Sequence, residues 1–323
     1  MAATEFHAQQ IKQVINTNNG FIQKLIAAYK RIYARVSPRI QNIILKLQAQ
    51  PTITVKQIAT SAELVALITA VSDELEDYTG YVKVELDLAN QAALFLALTH
   101  VSQLYKEYGH QNVKVLPLEA LDFLNEWMKP GSPLLNRLSF MPETVQEAMR
   151  NVILEGVRLG RNPLQIARLL TNQFGMGFTD SARMMRTLQL YSYREATRAN
   201  WIAGGIVEGW IWYATLDDRT CMSCVNMHGT IHTLDENLND HHNGRCAMLS
   251  YPFGLDALNM GDPNGLDWFN KQSEAQQVEM MGKAKWEAWK GNQFDFSKLT
   301  KTYENDVFGT MRSEASLKDL LNG

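Results

Sequence analysis

Cys221, Cys224 and Cys246 are the only three cysteines among 323 residues, and they share one stretch of 26. Cys221-Met222-Ser223-Cys224 is a C-x-x-C pair, a spacing that lets two thiolates grip one ion from neighbouring backbone positions. His241, His242 and Cys246 follow about twenty residues later, with His228 and His232 in between. Three thiolates and one imidazole make the closed tetrahedral set that Zn²⁺ takes in structural sites, whereas Mg²⁺ and Ca²⁺ want oxygen ligands. Spacing alone leaves open which histidine serves.

Other chemistries fit these residues less well. His228-Gly229-Thr230-Ile231-His232 has the spacing of H-E-x-x-H but lacks its glutamate, and Gly229 and Thr230 disfavour a helix carrying both histidines. A nucleobase deaminase needs H-x-E ahead of P-C-x-x-C, and here the C-x-x-C comes first. A redox pair is expected at a strand-to-helix junction, and Val225-Asn226-Met227-His228-Gly229 reads as a poor helix. A Cys221 nucleophile served by a histidine and Asp217 lacks a recognisable oxyanion site. Free cysteines buried as small hydrophobes remain the plain alternative.

The elements that must position this cluster change character along the chain. From Ile22 the apolar positions Ile22, Leu25, Tyr29, Ile32 and Val36 alternate steps of three and four, a narrow helical seam resumed by Ile40, Ile43, Ile44 and Leu47. Asn18-Asn19-Gly20 is expected to interrupt that helix and Ser37-Pro38 to kink it. Two further helices are expected near 61–77 and 81–108. Lys129-Pro130-Gly131-Ser132-Pro133 is the clearest breaker cluster. Beyond it, helices are expected near 142–159, 163–174 (capped by Asn162) and 179–203 (opened by Thr179 or Asp180). Val207 to Thr215 is β-branched and aromatic and reads as a strand, as does Ala247–Tyr251. A helical pair is expected within 265–289, then short helical pieces and turns. The fold class is therefore mainly α, with helical N-terminal and central regions and a small β/loop metal-binding module toward the C-terminal half. Expected domains are 1–130, 131–252 and 253–323.

Trp212-Tyr213-Ala214-Thr215-Leu216-Asp217-Asp218-Arg219-Thr220-Cys221-Met222-Ser223-Cys224, then Gly229, then His241-His242-Asn243-Gly244-Arg245-Cys246, closely resembles the Mu F-like head-morphogenesis domain of tailed bacteriophages. That pattern is W-x-A-x-x-D-x-R-T-C-x-x-C, a glycine, then H-P-N-C-R-C. Gly156 to Ala167 resembles the family's helical approach, and Arg186-Thr187 sits where it usually has R-T-E. Gly244 and Leu188 depart from the pattern, replacing a cysteine and a glutamate. The likeness covers about residues 155–252. It implies a minor head (capsid) protein, structural rather than enzymatic, that is assembled in the host cytoplasm into the virion. Its implied place is with the portal or inner capsid, acting in head morphogenesis and in DNA packaging or ejection. The portal and major capsid protein are the implied partners, and one structural zinc on Cys221, Cys224, His241 and Cys246 suits the retained residues.

Between Arg158 and Arg198 there are seven arginines, no lysine and two acids, a local excess of five positive charges. On a helix over 179–203, Arg183, Arg186, Arg194 and Arg198 fall on one side, a candidate contact for packaged double-stranded DNA or an acidic partner segment. Leu190 and Trp201 on that side favour a protein partner, and the N-terminal seam is a candidate for self-association. The whole chain carries −3 with 46% hydrophobic and 20% charged residues. That balance excludes a disordered chain or a polycation coating nucleic acid. No secretory signal is visible, and the longest apolar run, Ala92 to Leu98, is far too short for a bilayer. No membrane role is expected.

Overall fold

A computed structural model describes residues 3–50, 52–253 and 262–322. The chain is mainly helical with a small β part. Helices α1 (Ala3–Ala49), α2 (Val55–Ala59) and α3 (Ala62–Glu107) are followed by a 3₁₀ segment over Leu118–Met128. Then come α4 (Pro133–Ser139), α5 (Met141–Arg158) and α6 (Pro163–Gly204). Strand β1 (Gly209–Tyr213), helix α7 (Met222–Met227), β2 (Ile231–Thr233) and β3 (Ala247–Tyr251) make the cysteine-bearing region. Helices α8 (Gly265–Lys271), α9 (Glu274–Met281) and α10 (Lys283–Lys290) precede strands β4 (Thr300–Asn305) and β5 (Gly309–Glu314) and helix α11 (Leu317–Asn322). Among the described residues, no helix is long and apolar enough to cross a membrane.

The helices are longer than their breakers foretell. α1 runs unbroken through Asn18-Asn19-Gly20 and through Pro38. A glycine costs about 1 kcal/mol and an interior proline about 3 kcal/mol relative to alanine. Burial of Val14, Ile22, Leu25, Ile32, Val36, Ile40, Ile43 and Leu47 along one seam outweighs both. The two helices expected near 61–77 and 81–108 are one, α3, and those expected at 163–174 and 179–203 are likewise one, α6. Thr179 does not cap a helix: its hydroxyl donates to the Gly175 carbonyl inside α6 (3.2 Å).

The chain divides into two compact units, each assembled from separated stretches. One comprises Asn18–Ala89 and Asn125–Arg186, the other Met1–Thr17, Asn90–Leu124 and Thr187–Gly323. The contiguous division at 130 and 252 is therefore not how the contacts are distributed. In the first unit, α1, α3 (Leu64, Leu67, Val71, Leu75, Tyr78, Val82, Leu86), α5 (Val145, Met149, Ile153) and α6 (Ile166, Leu170, Phe174) each bury a seam, and Tyr29 of α1 meets Tyr78 of α3 and Phe174 of α6. Gly156 lets α5 and α6 approach, since a Cβ there would lie 2.7 Å from Ile166 Cγ1.

In the second unit, β1 is the centre of an antiparallel sheet of order β2-β1-β3, with Trp212 opposite Met248 and Trp210 opposite His232. Alternation along β1 sends Trp210 and Trp212 into a core with Phe6, Leu104, Trp201 and Leu238, and Ile211 against Leu249 on the other face. Residues 265–290 hold three helices, α8 to α10, rather than a pair, and the stretch from 294 adds a β-hairpin, β4–β5, to the short helical pieces expected there. They are not a detached tail. Phe269, Met281, Phe296 and Leu299 form a core with Met222 and Val225 of α7.

Candidate metal centre

Helix α7 carries the C-x-x-C pair between two cores. Met222 and Val225 face the C-terminal helices, while Cys224 faces the Trp210–Trp212 core. Cys221 caps α7, its sulfur accepting the Cys224 backbone N–H at 3.4 Å. Glu314 on β5 accepts the Met222 N–H (3.0 Å), placing a carboxylate at the positive end of the helix. Asn226 donates to the Ser297 carbonyl (2.9 Å), fastening the other end.

The loop from β2 to β3 brings in the remaining donors. His241 Nε2 lies 3.2 Å from Cys221 Sγ and 3.3 Å from Cys224 Sγ. Its Nδ1–H donates to the His242 carbonyl (2.9 Å), which fixes the tautomer that leaves Nε2 facing the sulfurs. Cys221, Cys224 and His241 form one group with all ligand atoms within 4.8 Å, and Cys224, Asp240 and Cys246 form a second. Around a tetrahedral Zn²⁺ with Zn–S near 2.3 Å and Zn–N near 2.0–2.1 Å, a sulfur and a nitrogen stand about 3.5 Å apart. The observed spacings are a few tenths shorter, so a small spread admits the ion. The donors fit a metal of the thiolate-binding class.

His241, not His242, is the histidine at the sulfurs. His242 accepts from Asn305 Nδ2 (3.2 Å) and meets the Thr187 hydroxyl (3.5 Å). Buried His228 accepts the Ala214 N–H (3.0 Å) and donates to the Asp262 carbonyl (3.1 Å), and burial keeps it neutral. His232 stacks on Trp210 with ring centroids 4.2 Å apart and contacts Glu236 (2.9 Å). Gly229 turns the chain at φ +86°, with the Pro263 carbonyl 2.1 Å from where a Cβ would sit.

Electrostatics inside the cluster divide the protons unevenly among the donors. The Cys221 thiolate is drawn down to about 5 by the hydrogen bond from Cys224, against burial and with help from His241. Cys224 is pushed up by donating to Cys221, by Cys246 and by burial. His241 is held protonated up to about 10: burial opposes its charge, and Cys221 and Asp240 outweigh burial. A divalent cation would take the place of these protons.

Around the donors, charged pairs hold the loops. Asp217 accepts two hydrogen bonds from Arg245 (2.8 and 2.9 Å) and one from Thr220 (2.9 Å), so it serves no histidine. Arg194 is buried and donates to the carbonyls of Cys246 (2.5 Å) and Gly244 (3.3 Å). Arg198 binds Glu195 (2.6 Å) and the Leu234 carbonyl (2.7 Å). These two arginines of the expected DNA- or partner-facing stripe are therefore internal fasteners. Arg183 differs, pairing with Asp180 (3.4 Å) with its side chain 38% exposed.

Sequence reasoning missed Asp240, Glu314 and the inward turn of Arg194. The acid beside His241-His242 was the one visible signal for Asp240. No protein-family model, curated protein or solved structure matches the chain.

Proposed function

We propose that this protein is a minor head protein of a tailed bacteriophage, a structural component associated with the portal or inner capsid that acts in head morphogenesis. The observation that carries the reading is the resemblance to the Mu F-like pattern, joined to a structural use for several of its retained residues. Trp212 is buried, Asp217 binds Arg245, Gly229 allows a close backbone approach, and the cysteines converge with His241. Residues so used brace a module. We take the ion to be one structural Zn²⁺ on Cys221, Cys224, His241 and Cys246, because three sulfurs and an imidazole match its preference.

Quantitative mass spectrometry of purified particles tests the role. A fixed, low copy number per particle, lost together with proper heads when the gene is deleted, is expected. Complete absence of the chain from particles overturns the reading.

A second reading, contact with packaged DNA, rests on Arg183, which is directed to the surface of α6, and on its neighbour Arg186. With Arg194 and Arg198 internal, that surface is small. Changing Arg183 and Arg186 to Gln should then reduce the salt slope of duplex binding by at most about 1.8, at about 0.9 per phosphate contact. A reduction near that limit favours this reading, and no reduction favours a protein-docking one.

A further inference from the structure

We propose that the fourth coordination position of the centre is open to two donors, the Cys246 thiolate and the Asp240 carboxylate, so that the ion stays bound when either is lost. The inference rests on the metal reading above, and its test separates the two.

Asp240 is only 3% exposed. Its Oδ1 lies 3.6 Å from Cys224 Sγ and 3.5 Å from His241 Nε2. With His241 and Cys224 3.3 Å apart, the three atoms form a triangle. Its edges match the roughly 3.3–3.5 Å expected between oxygen, nitrogen and sulfur ligands on one tetrahedral zinc. The other oxygen, Oδ2, is buried with no hydrogen-bond partner. The neighbouring cation, Arg194, stands 3.7 Å away and directs its hydrogen bonds to the Gly244 and Cys246 carbonyls instead. Oδ1 also accepts the His241 backbone N–H (2.7 Å), and an ion in the cluster would add to the partial compensation that Arg194 supplies.

Room for the carboxylate comes from Gly244. A Cβ at that position would lie 1.8 Å from Asp240 Oδ2 and 2.1 Å from its Cγ. Cys246 approaches the same sulfur, since the ligand atoms of Cys224, Asp240 and Cys246 lie within 4.8 Å of one another. Cys221, Cys224 and His241 fill three positions of a tetrahedron, which leaves one position for two donors. Zinc accepts carboxylate oxygen as well as thiolate.

The test uses the full-length reduced chain loaded with Co²⁺, whose visible bands report geometry and thiolate number, and chelator competition for Zn²⁺. Cys246→Ser should keep one tetrahedral ion, lose about a third of the thiolate charge-transfer intensity, and weaken binding by no more than about tenfold. Asp240→Asn should keep the three-thiolate spectrum. The double variant should lose at least about a further hundredfold beyond the product of the single effects. Gly244→Ala, which crowds the carboxylate, should act like Asp240→Asn in the Cys246→Ser background, with circular dichroism checking that the helices persist. The proposal falls if Cys246→Ser alone loses the ion as completely as Cys224→Ser, or if the double variant shows only the product of the singles. A wild-type chain that binds no Co²⁺ or Zn²⁺ overturns the metal reading itself.

Discussion

Asp217 and Arg245, 28 positions apart, meet through two parallel hydrogen bonds of 2.8 and 2.9 Å that join the turn before Cys221 to the turn before Cys246. Leu216 at φ 53° and Asn243 at φ 64° show that both turns include a left-handed residue, a conformation the pair helps to hold. Arg245→Gln is expected to lower stability by about 1.5–3 kcal/mol, the range for hydrogen bonds to charged groups. Arg245 and Thr220 hold the Asp217 carboxyl well below the usual range, against the effect of burial. Its contribution is therefore full above the ordinary carboxylate value near pH 4 and is lost as pH falls toward the depressed folded value. Urea titrations should show wild type and Asp217→Asn differing at pH 7 and converging in strong acid.

Metal analysis of the purified chain is expected to find close to one zinc per molecule. Zinc binding to small finger peptides contributes roughly 10–16 kcal/mol apparent at neutral pH, against roughly 5–15 kcal/mol for the stability of a whole domain. Chelation or Cys224→Ser should raise hydrogen exchange in α7 and in the loop from Thr233 to Cys246, while the seams of α1 and α3 in the other unit stay protected. Uniform protection after complete zinc removal contradicts this expectation.

Two glycines with positive φ should respond differently to alanine. Gly205 (φ +64°) has nothing within 4 Å of an added Cβ, so Gly205→Ala should cost about 1–2 kcal/mol for the backbone conformation alone. At Gly229 (φ +86°) the Pro263 carbonyl stands 2.1 Å from the same atom, and the collision adds to the backbone cost. Thermal melts should rank Gly229→Ala clearly below Gly205→Ala, and equal losses would contradict the packing account.

Acid should act through His100. Its Nδ1 accepts from the Tyr193 hydroxyl (2.8 Å), its Nε2–H donates to Gln13 (3.1 Å), and burial lowers it to about 4. A folded value below the unfolded value near 6.5 means stability is full above pH 6.5 and declines as pH falls toward 4, by on the order of 2–3 kcal/mol. His100→Gln should flatten that limb of the stability–pH curve, while an unchanged slope would assign it to another group.

The seam from Ile22 to Leu47 was legible because its period of three and four survives whatever interrupts it, and strands β1 and β3 were legible because Trp210 to Tyr213 and Ala247 to Tyr251 carry strand-forming residues. The cysteine cluster was legible from spacing alone, but not which of the four nearby histidines joins it. What escaped has a common cause. Gly20 and Pro38 are breakers whose local cost is small beside tertiary burial, so two-sided packing carried the helices through them. Arg194 reads as a surface residue until the carbonyls of Gly244 and Cys246 arrive from fifty positions away. β4 and β5 are short and polar, and Tyr303 opposite Met311 gains its meaning from pairing, which local propensity does not encode.

Helices α1, α3 and α6 each pass from one unit into the other, at 17/18, 89/90 and 186/187. No single contiguous gene fragment therefore encodes either unit. On the ribosome, the last residue of the unit built from 18–89 and 125–186 is made before any cysteine of the chain emerges. That unit can close while the Cys/His module is still unsynthesised. Residues 1–17 and 90–124 can meet each other early, as Gln13 and His100 do, but the rest of their core comes from residues after Thr187. The Cys/His module and the C-terminal helices packed on α7 are thus completed last, on a chain whose other unit can already have closed.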